Sequence, residues 1–323
     1  MMIKKNKKAI AMSFNWIFAI IAGGFILFLA IYFAGQFIDT AEQESYTETA
    51  ASLSVLLDPL ETGLASGKAN LINFNKESKI FFDCTEKLNP PFGKQYISFS
   101  DKTLSEEYRE EGGKVPILNK YIFAEDVVEG KNIYAFSKPI YMPFKIADMS
   151  IVISATKKYC FYDAPEDIQE DLENLNLKSI IFMNSTSECE GIKVCFDTTG
   201  GCDIIVNELR KEVYNKKNKE RVYYSGDLVY AAIFSSPDIY ECNIKRLKSK
   251  FNELSKIYLE KIKIMERQGC LPTIGGKLSL LIDRDIRDSR DLDIFIRDVE
   301  EIDAVNRLSN SGCMLYYNEN WGR

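Results

Sequence analysis

Histidine is absent from the chain. That removes the commonest general base and the commonest metal ligand. Ser-His-Asp and Cys-His nucleophilic arrangements are excluded with it. No Cys-x-x-Cys pair occurs, so a zinc site would have to be assembled from scattered thiolates. The turn before the acidic stretch EDIQEDLENLN, Tyr162-Asp163-Ala164-Pro165, has no glycine-rich phosphate cradle, which leaves a dinucleotide site unsupported. From Trp16 to Gly35 there is no charged or strongly polar side chain. No catalytic residue and no cofactor-binding residue is assigned from the sequence, and no cofactor is expected.

That uncharged run is the most informative stretch present. Phe14 to Ile38 reads FNWIFAIIAGGFILFLAIYFAGQFI after the basic start MMIKKNKK. A helix rises about 1.5 Å per residue, so about 20 apolar residues span a hydrocarbon core of about 30 Å. The run exceeds the apolar region of an ordinary signal peptide, and no small-x-small cleavage site follows it. Lys4, Lys5, Lys7 and Lys8 precede it, whereas Asp39, Glu42 and Glu44 follow. Positive residues stay inside, so the N-terminus is expected in the cytoplasm and the remainder outside, at the cell membrane with a single pass. Ala19, Gly23, Ala30 and Ala34 would let a second helix approach closely. No acid or base lies within the run, which argues against an ion path along it.

Eight cysteines, Cys84, Cys160, Cys189, Cys195, Cys202, Cys242, Cys270 and Cys313, all follow the apolar run. An even number in an oxidising compartment points to disulfides. Their pairing stays open, although Cys189, Cys195 and Cys202 are close enough for one local bridge. Net charge is −6, and the exterior is more acidic still once the leading lysines are set aside. An acidic exterior argues against a nucleic-acid partner. The lipid bilayer is the expected partner, with a homo-oligomer or an envelope protein meeting the membrane helix or the helix 237–268.

The helical pattern continues past the membrane. Leu53, Leu57, Leu60 and Leu64 recur at helical spacing to about Gly67, with Pro59 placed to kink the segment. The expected organisation is α+β: a basic leader (1–12), a transmembrane helix (13–38), an amphipathic extension (39–67), a β-rich membrane-proximal region (68–157) and an α/β domain (158–323). In the β-rich region the expected strands are Asn70–Phe74, Lys79–Cys84, Gln95–Ser100, Tyr121–Ala124, Asn132–Ser137 and Met149–Ser154. Asn89-Pro90-Pro91, Gly112-Gly113 and Gly130-Lys131-Asn132 read as turns between them.

In the last region KKYCFYD, a helix with Pro165 at its first position, and SIIFMN read as a β-α-β unit with parallel strands. IKVCFD, CDIIVN, LVYAAIF and a final CMLYYN read as further strands, and Ser225-Gly226-Asp227 as a turn between two of them. Ser236 and Pro237 open the longest outer helix, which carries a stripe through Tyr240, Ile244, Leu247, Phe251, Leu254, Tyr258 and Met265. Shorter helices are expected over Lys277–Asp285 and Asp291–Leu308.

A basic leader, then an apolar helix that runs on as an amphipathic one into an extracytoplasmic β-rich head, resembles the type IV pilin and pseudopilin superfamily. The archaeal class III signal-peptide proteins are its nearest version. There a Gln-x-Ser-x-Glu pattern marks the cut; here Ala11-Met12-Ser13-Phe14-Asn15 aligns with it, Ser13 matching, Ala11 and Asn15 differing, and Ile10 standing before the cut. The resemblance covers about the first 65 residues and implies processing and filament assembly.

Two further features carry chemistry. Asp283, Asp285 and Asp288 are the one candidate calcium set, although the same stretch reads as exposed ion pairs four apart, Asp283–Arg287, Arg284–Asp288 and Arg287–Asp291. Asn184-Ser185-Thr186 is a glycosylation sequon. The leading function is a membrane-anchored extracytoplasmic protein with a structural, assembly or binding role, pilin-like in its helix. The alternatives are a membrane-tethered hydrolase using carboxylates and an extracytoplasmic ligand-binding domain.

Overall fold

A computed structural model describes residues 14–57, 68–85, 92–103, 106–183, 189–197, 200–270, 272–309 and 313–317. Helix α1 runs without a break from Phe14 to Leu56. At about 1.5 Å per residue it is about 65 Å long. Its first half is apolar and exposed, with Trp16, Phe25 and Phe37 all more than 60% accessible. It is long and apolar enough to cross a membrane. Its second half buries Tyr46, Ala50 and Leu53 on one face, and Leu57, just past its end, continues the same face. The expected end near Gly67, with Pro59, Leu60 and Leu64, lies outside the described residues.

That face packs on a six-stranded sheet ordered β3-β2-β1-β5-β6-β4. Its strands are β1 (Ala69–Thr85), β2 (Lys94–Asp101), β3 (Val115–Ile117), β4 (Tyr121–Phe123), β5 (Val127–Tyr141) and β6 (Lys145–Ser154). All neighbours are antiparallel except β4 and β6. Two expected strands are one: β1 spans both, with an irregularity between Asn73 and Ser78. The supposed turn at Gly130 lies inside β5, where the ladder absorbs that irregularity instead of ending. Strand periodicity then divides the side chains between faces. Ile133, Ala135 and Val152 join the α1 side, whereas Tyr134, Phe136, Ile151 and Ile153 face the other.

The cluster on that other face also takes in a second six-stranded sheet, ordered β12-β11-β10-β9-β7-β8. It comprises β7 (Tyr159–Tyr162), β8 (Ile180–Met183), β9 (Ile192–Phe196), β10 (Ile204–Asn207), β11 (Glu212–Asn215) and β12 (Glu220–Tyr223). Helix α2 (Glu166–Asn174) connects β7 to its parallel neighbour β8, as the β-α-β pattern predicts. Pro165 occupies the N-cap position and not the first helical one.

The run LVYAAIF is a helix, α3 (Leu228–Phe234), and not a strand. All seven residues are buried, so its sequence carries no face to betray its period. Gly226 at φ +51° turns the chain into it, and Leu228, Val229 and Tyr230 donate back to Ser225, Gly226 and Asp227. The turn therefore joins β12 to a helix. Helix α4 (Pro237–Arg267) opens on the Ser236 cap. Its stripe of Tyr240, Ile244, Leu247 and Phe251 is fully buried in the chain's own core. Helix α5 (Gly275–Asp283), a 3-10 turn (Ser289–Asp291) and α6 (Leu292–Leu308) follow. Among the described residues the expected final strand does not form: Cys313–Tyr317 carries no ladder there, and Leu315 is held by a bond from its N–H to the Asn306 side chain.

Four disulfides staple the part that follows α1: Cys84–Cys242, Cys160–Cys189, Cys195–Cys202 and Cys270–Cys313. Such bonds mark an oxidising location.

Candidate functional site

In the second sheet the chain leaves β7 for β8 on one side, and β9 then takes the other side. The direction of winding reverses between β7 and β9. Crevices that bind ligands form at such reversals, beyond the carboxyl ends of the strands. Here those ends are Asp163, just past β7, and Asp197, just past β9. Both take positive φ, 52° and 53°, which aspartate tolerates better than most residues. Asp197 accepts a bond from the Glu208 N–H at 3.0 Å. Tyr224 is buried beside them. Burial first, and then the charges of Glu208, Asp197 and Asp167, push its phenol well above the ordinary range. Carboxylates thus stand where a phosphate-binding fold places backbone N–H groups, and they repel anions.

The acidic rim continues along α2. Asp171 accepts from the nearly buried Lys138 ammonium and, at 2.8 Å, from the Tyr230 hydroxyl. Lys138 also lies 4.9 Å from the Tyr230 ring centre. Burial, the bond to Asp171 and the charges of Asp227 and Asp167 hold Tyr230 protonated far into alkali.

Next to this rim is a cleft of about 300 Å³. One wall is the β5–β6 turn, Pro139–Pro143, with a cis bond before Pro143. Its base is Ser225 to Leu228. The opposite wall is one face of α6, where Ile296, Val299, Glu300, Asp303 and Arg307 recur at helical spacing. Asp303 receives a bond from Arg307 at 2.8 Å. Nothing in the sequence alone marks these residues as a site, apart from the Ser225-Gly226-Asp227 turn. The period of α6 could have shown which acids share a face, but not what faces them.

The residues singled out by sequence lie elsewhere. Asp283 ends α5, and Asp288 caps the 3-10 turn and pairs with Arg290 at 2.6 Å. Of the three ion pairs expected there, Arg287–Asp291 forms. Arg284 instead reaches Asp298 at 2.7 Å, because the helix ends before it. Among the described residues no group of three or more acids, cysteines or histidines is placed to hold a metal. Asn184 lies outside the described residues.

The second half of α1 is tied to the head by polar contacts. Glu42 pairs with Arg109, and the Tyr46 hydroxyl donates to Asp101 at 2.5 Å. Lys76 reaches the other oxygen of Asp101 at 3.0 Å. Gly112 and Gly113 lie against Tyr46 and Thr47; a Cβ at Gly112 would come within 2.5 Å of the Tyr46 Cβ. The helix and the head are therefore one packed body at this joint. No family model, curated protein or solved structure matches the chain.

Proposed function

We propose that this chain is a single-pass membrane protein whose head stands outside the cytoplasm and acts by binding or assembly. One observation carries the reading. The exposed apolar half of α1 continues, without a break, into a half that is buried against the head. An apolar surface of this size has no solvent role and fits a bilayer. The four disulfides support an oxidising side for the head. Rigid docking of α1 supports an assembly role like that of pilins, in which membrane helices of several copies meet. Gly23 and Gly24 leave open space for such a contact. The acidic cleft supports a binding role.

Membrane extraction and protease access test the topology. The intact chain is expected to stay in membranes through alkaline carbonate. Protease added outside intact cells is expected to reach the head, and all eight cysteines to resist alkylation until reduced. Phe28→Arg, at the centre of the run, places a charge at a cost of about 3 kcal/mol and is expected to reduce insertion several-fold. A protected head or freely alkylated thiols would overturn the outside topology.

A further inference from the structure

We infer that the cleft between the β5–β6 turn and α6 is a binding site for an ammonium or guanidinium group on an aliphatic stem. The inference begins with the charges on α6. That helix carries five acids: Asp293, Asp298, Glu300, Glu301 and Asp303. Four of them have a basic partner. Asp293 pairs with Arg297, Asp298 with Arg284, Glu301 with Lys277 and Asp303 with Arg307. Glu300 has none among the described residues, and it is the one of the five that faces the cleft together with the paired Asp303.

The opposing surface adds a second carboxylate, Asp227, at the base. The only basic side chain lining the cleft among the described residues, Arg307, is engaged by Asp303. The field inside is therefore negative, and Asp167 on the neighbouring rim adds to it, whereas Asp171 is spent on Lys138. An anion is excluded by the same charges.

The remaining walls set the rest of the ligand. Met142, Pro143, Leu228, Ile296 and Val299 offer apolar surface between the two acids. A volume of about 300 Å³ is at the small end for ligand pockets. It suits one amino-acid-sized amine and not a nucleotide or a sugar chain. A basic side chain of a partner peptide and a free alkylamine present this same chemistry.

The proposal gives the binding role above a ligand class, and it fails separately from the topology, because the test uses purified protein. The full chain in nanodiscs is titrated calorimetrically with 1,5-diaminopentane and, in a second arm, with the amide of Nα-acetyl-lysine. Saturable binding near about 1 mM is expected, weakening with salt. Tighter binding in the first arm assigns a free amine, and in the second a peptide source. Glu300 is exposed, so Glu300→Gln leaves the fold intact and is expected to weaken binding about tenfold, the loss of one charge-assisted bond. Arg307→Gln removes the competing cation and is expected to tighten it several-fold. A folding defect cannot produce that opposite change. Glu301→Gln, whose carboxylate is spent on Lys277, is expected to have no effect. Equal binding of 1-pentanol or pentanoate, or equal affinity in Glu300→Gln and the parent, would overturn the proposal.

Discussion

Arg246 is the side chain on which the most separate parts of the molecule meet. It is fully buried in the middle of α4. Its Nε donates to the Phe92 carbonyl at 2.9 Å, and its Nη1 lies near Gln95 Oε1 (3.0 Å), the Lys120 carbonyl (2.9 Å) and Asn243 Oδ1 (2.6 Å). The guanidinium also stands 4.8 Å from the centre of the Tyr121 ring. No carboxylate is paired with it among the described residues. Burial lowers its pKa to about 10, so it stays charged at neutral pH, held by neutral dipoles. Gln95 in turn bonds both the N–H and the C=O of Ile122, and so carries the contact into β4. Removing the guanidinium strands several buried acceptors and opens a cavity. Arg246→Ala is expected to cost about 3 kcal/mol or more in urea unfolding. Arg246→Lys, with a compact ammonium that lacks the planar fork, should recover part of that. A loss below about 1 kcal/mol for the alanine variant would show the hub to be incidental.

Among elements, α3 and α4 both join the two sheets, and the bridge from α4 to β1 makes α4 the best place to test what the disulfides contribute. Cys84–Cys242 closes a separation of 158 residues, whereas Cys195–Cys202 closes 7. Loop-closure entropy assigns about 5 kcal/mol to the first and about 2.5 kcal/mol to the second. Paired Cys→Ala replacement at 84 and 242 should therefore lower the urea midpoint about twice as far as at 195 and 202. Equal losses would mean that native packing, and not chain entropy, sets their value.

The same elements show how far the sequence could be read. β2 was legible because apolar Ile97 and Phe99 alternate with polar neighbours, and β6 because its buried run Ile151, Val152 and Ile153 is β-branched. α4 was legible from its cap and stripe. α3 was not, since a short run buried all round looks the same as a strand. β3, β11 and β12 are three or four residues long, too short for a period to show. No cysteine pairing was legible beyond a local bridge between two of Cys189, Cys195 and Cys202, which is Cys195–Cys202; the other three depend on tertiary approach. The cleft was illegible for a similar reason: Glu300 differs from its four neighbours only in having no cation across from it.

At the scale of the whole molecule the two sheets share one buried cluster, which runs from Tyr121, Phe136 and Ile151 through Tyr159 and Phe161 to Tyr240, Phe295 and Tyr316. Neither sheet can open without exposing α3 and α4, on which both pack, so one cooperative transition is expected for the head. The pH dependence of that transition follows from groups inside or beside the cluster. Lys248, nearly buried on α4, donates to Asn252 and to the Ile282 carbonyl, with Asp283 and Asp285 near enough to resist the fall. Burial nonetheless brings its pKa to about 8, below the value of about 10.4 for an unfolded lysine. Between those values the unfolded chain holds a proton that the folded chain has released, so this group makes stability rise with pH. The tyrosines act oppositely. Burial raises Tyr121 to about 12, and holds Tyr159, Tyr240 and Tyr316 above their ordinary range as well. Above about pH 10 the unfolded chain loses phenolic protons that the folded chain keeps, and stability falls. Urea midpoints measured at steps of pH should therefore climb modestly above pH 8, turn near pH 10 and then drop steeply. Tyrosinate absorbance should appear together with the loss of secondary structure and not before it. Lys248→Met should remove the climb and leave the steep limb unchanged. Phenols titrating while the fold persists, or two separate transitions, would mean that the sheets are not joined by a common core.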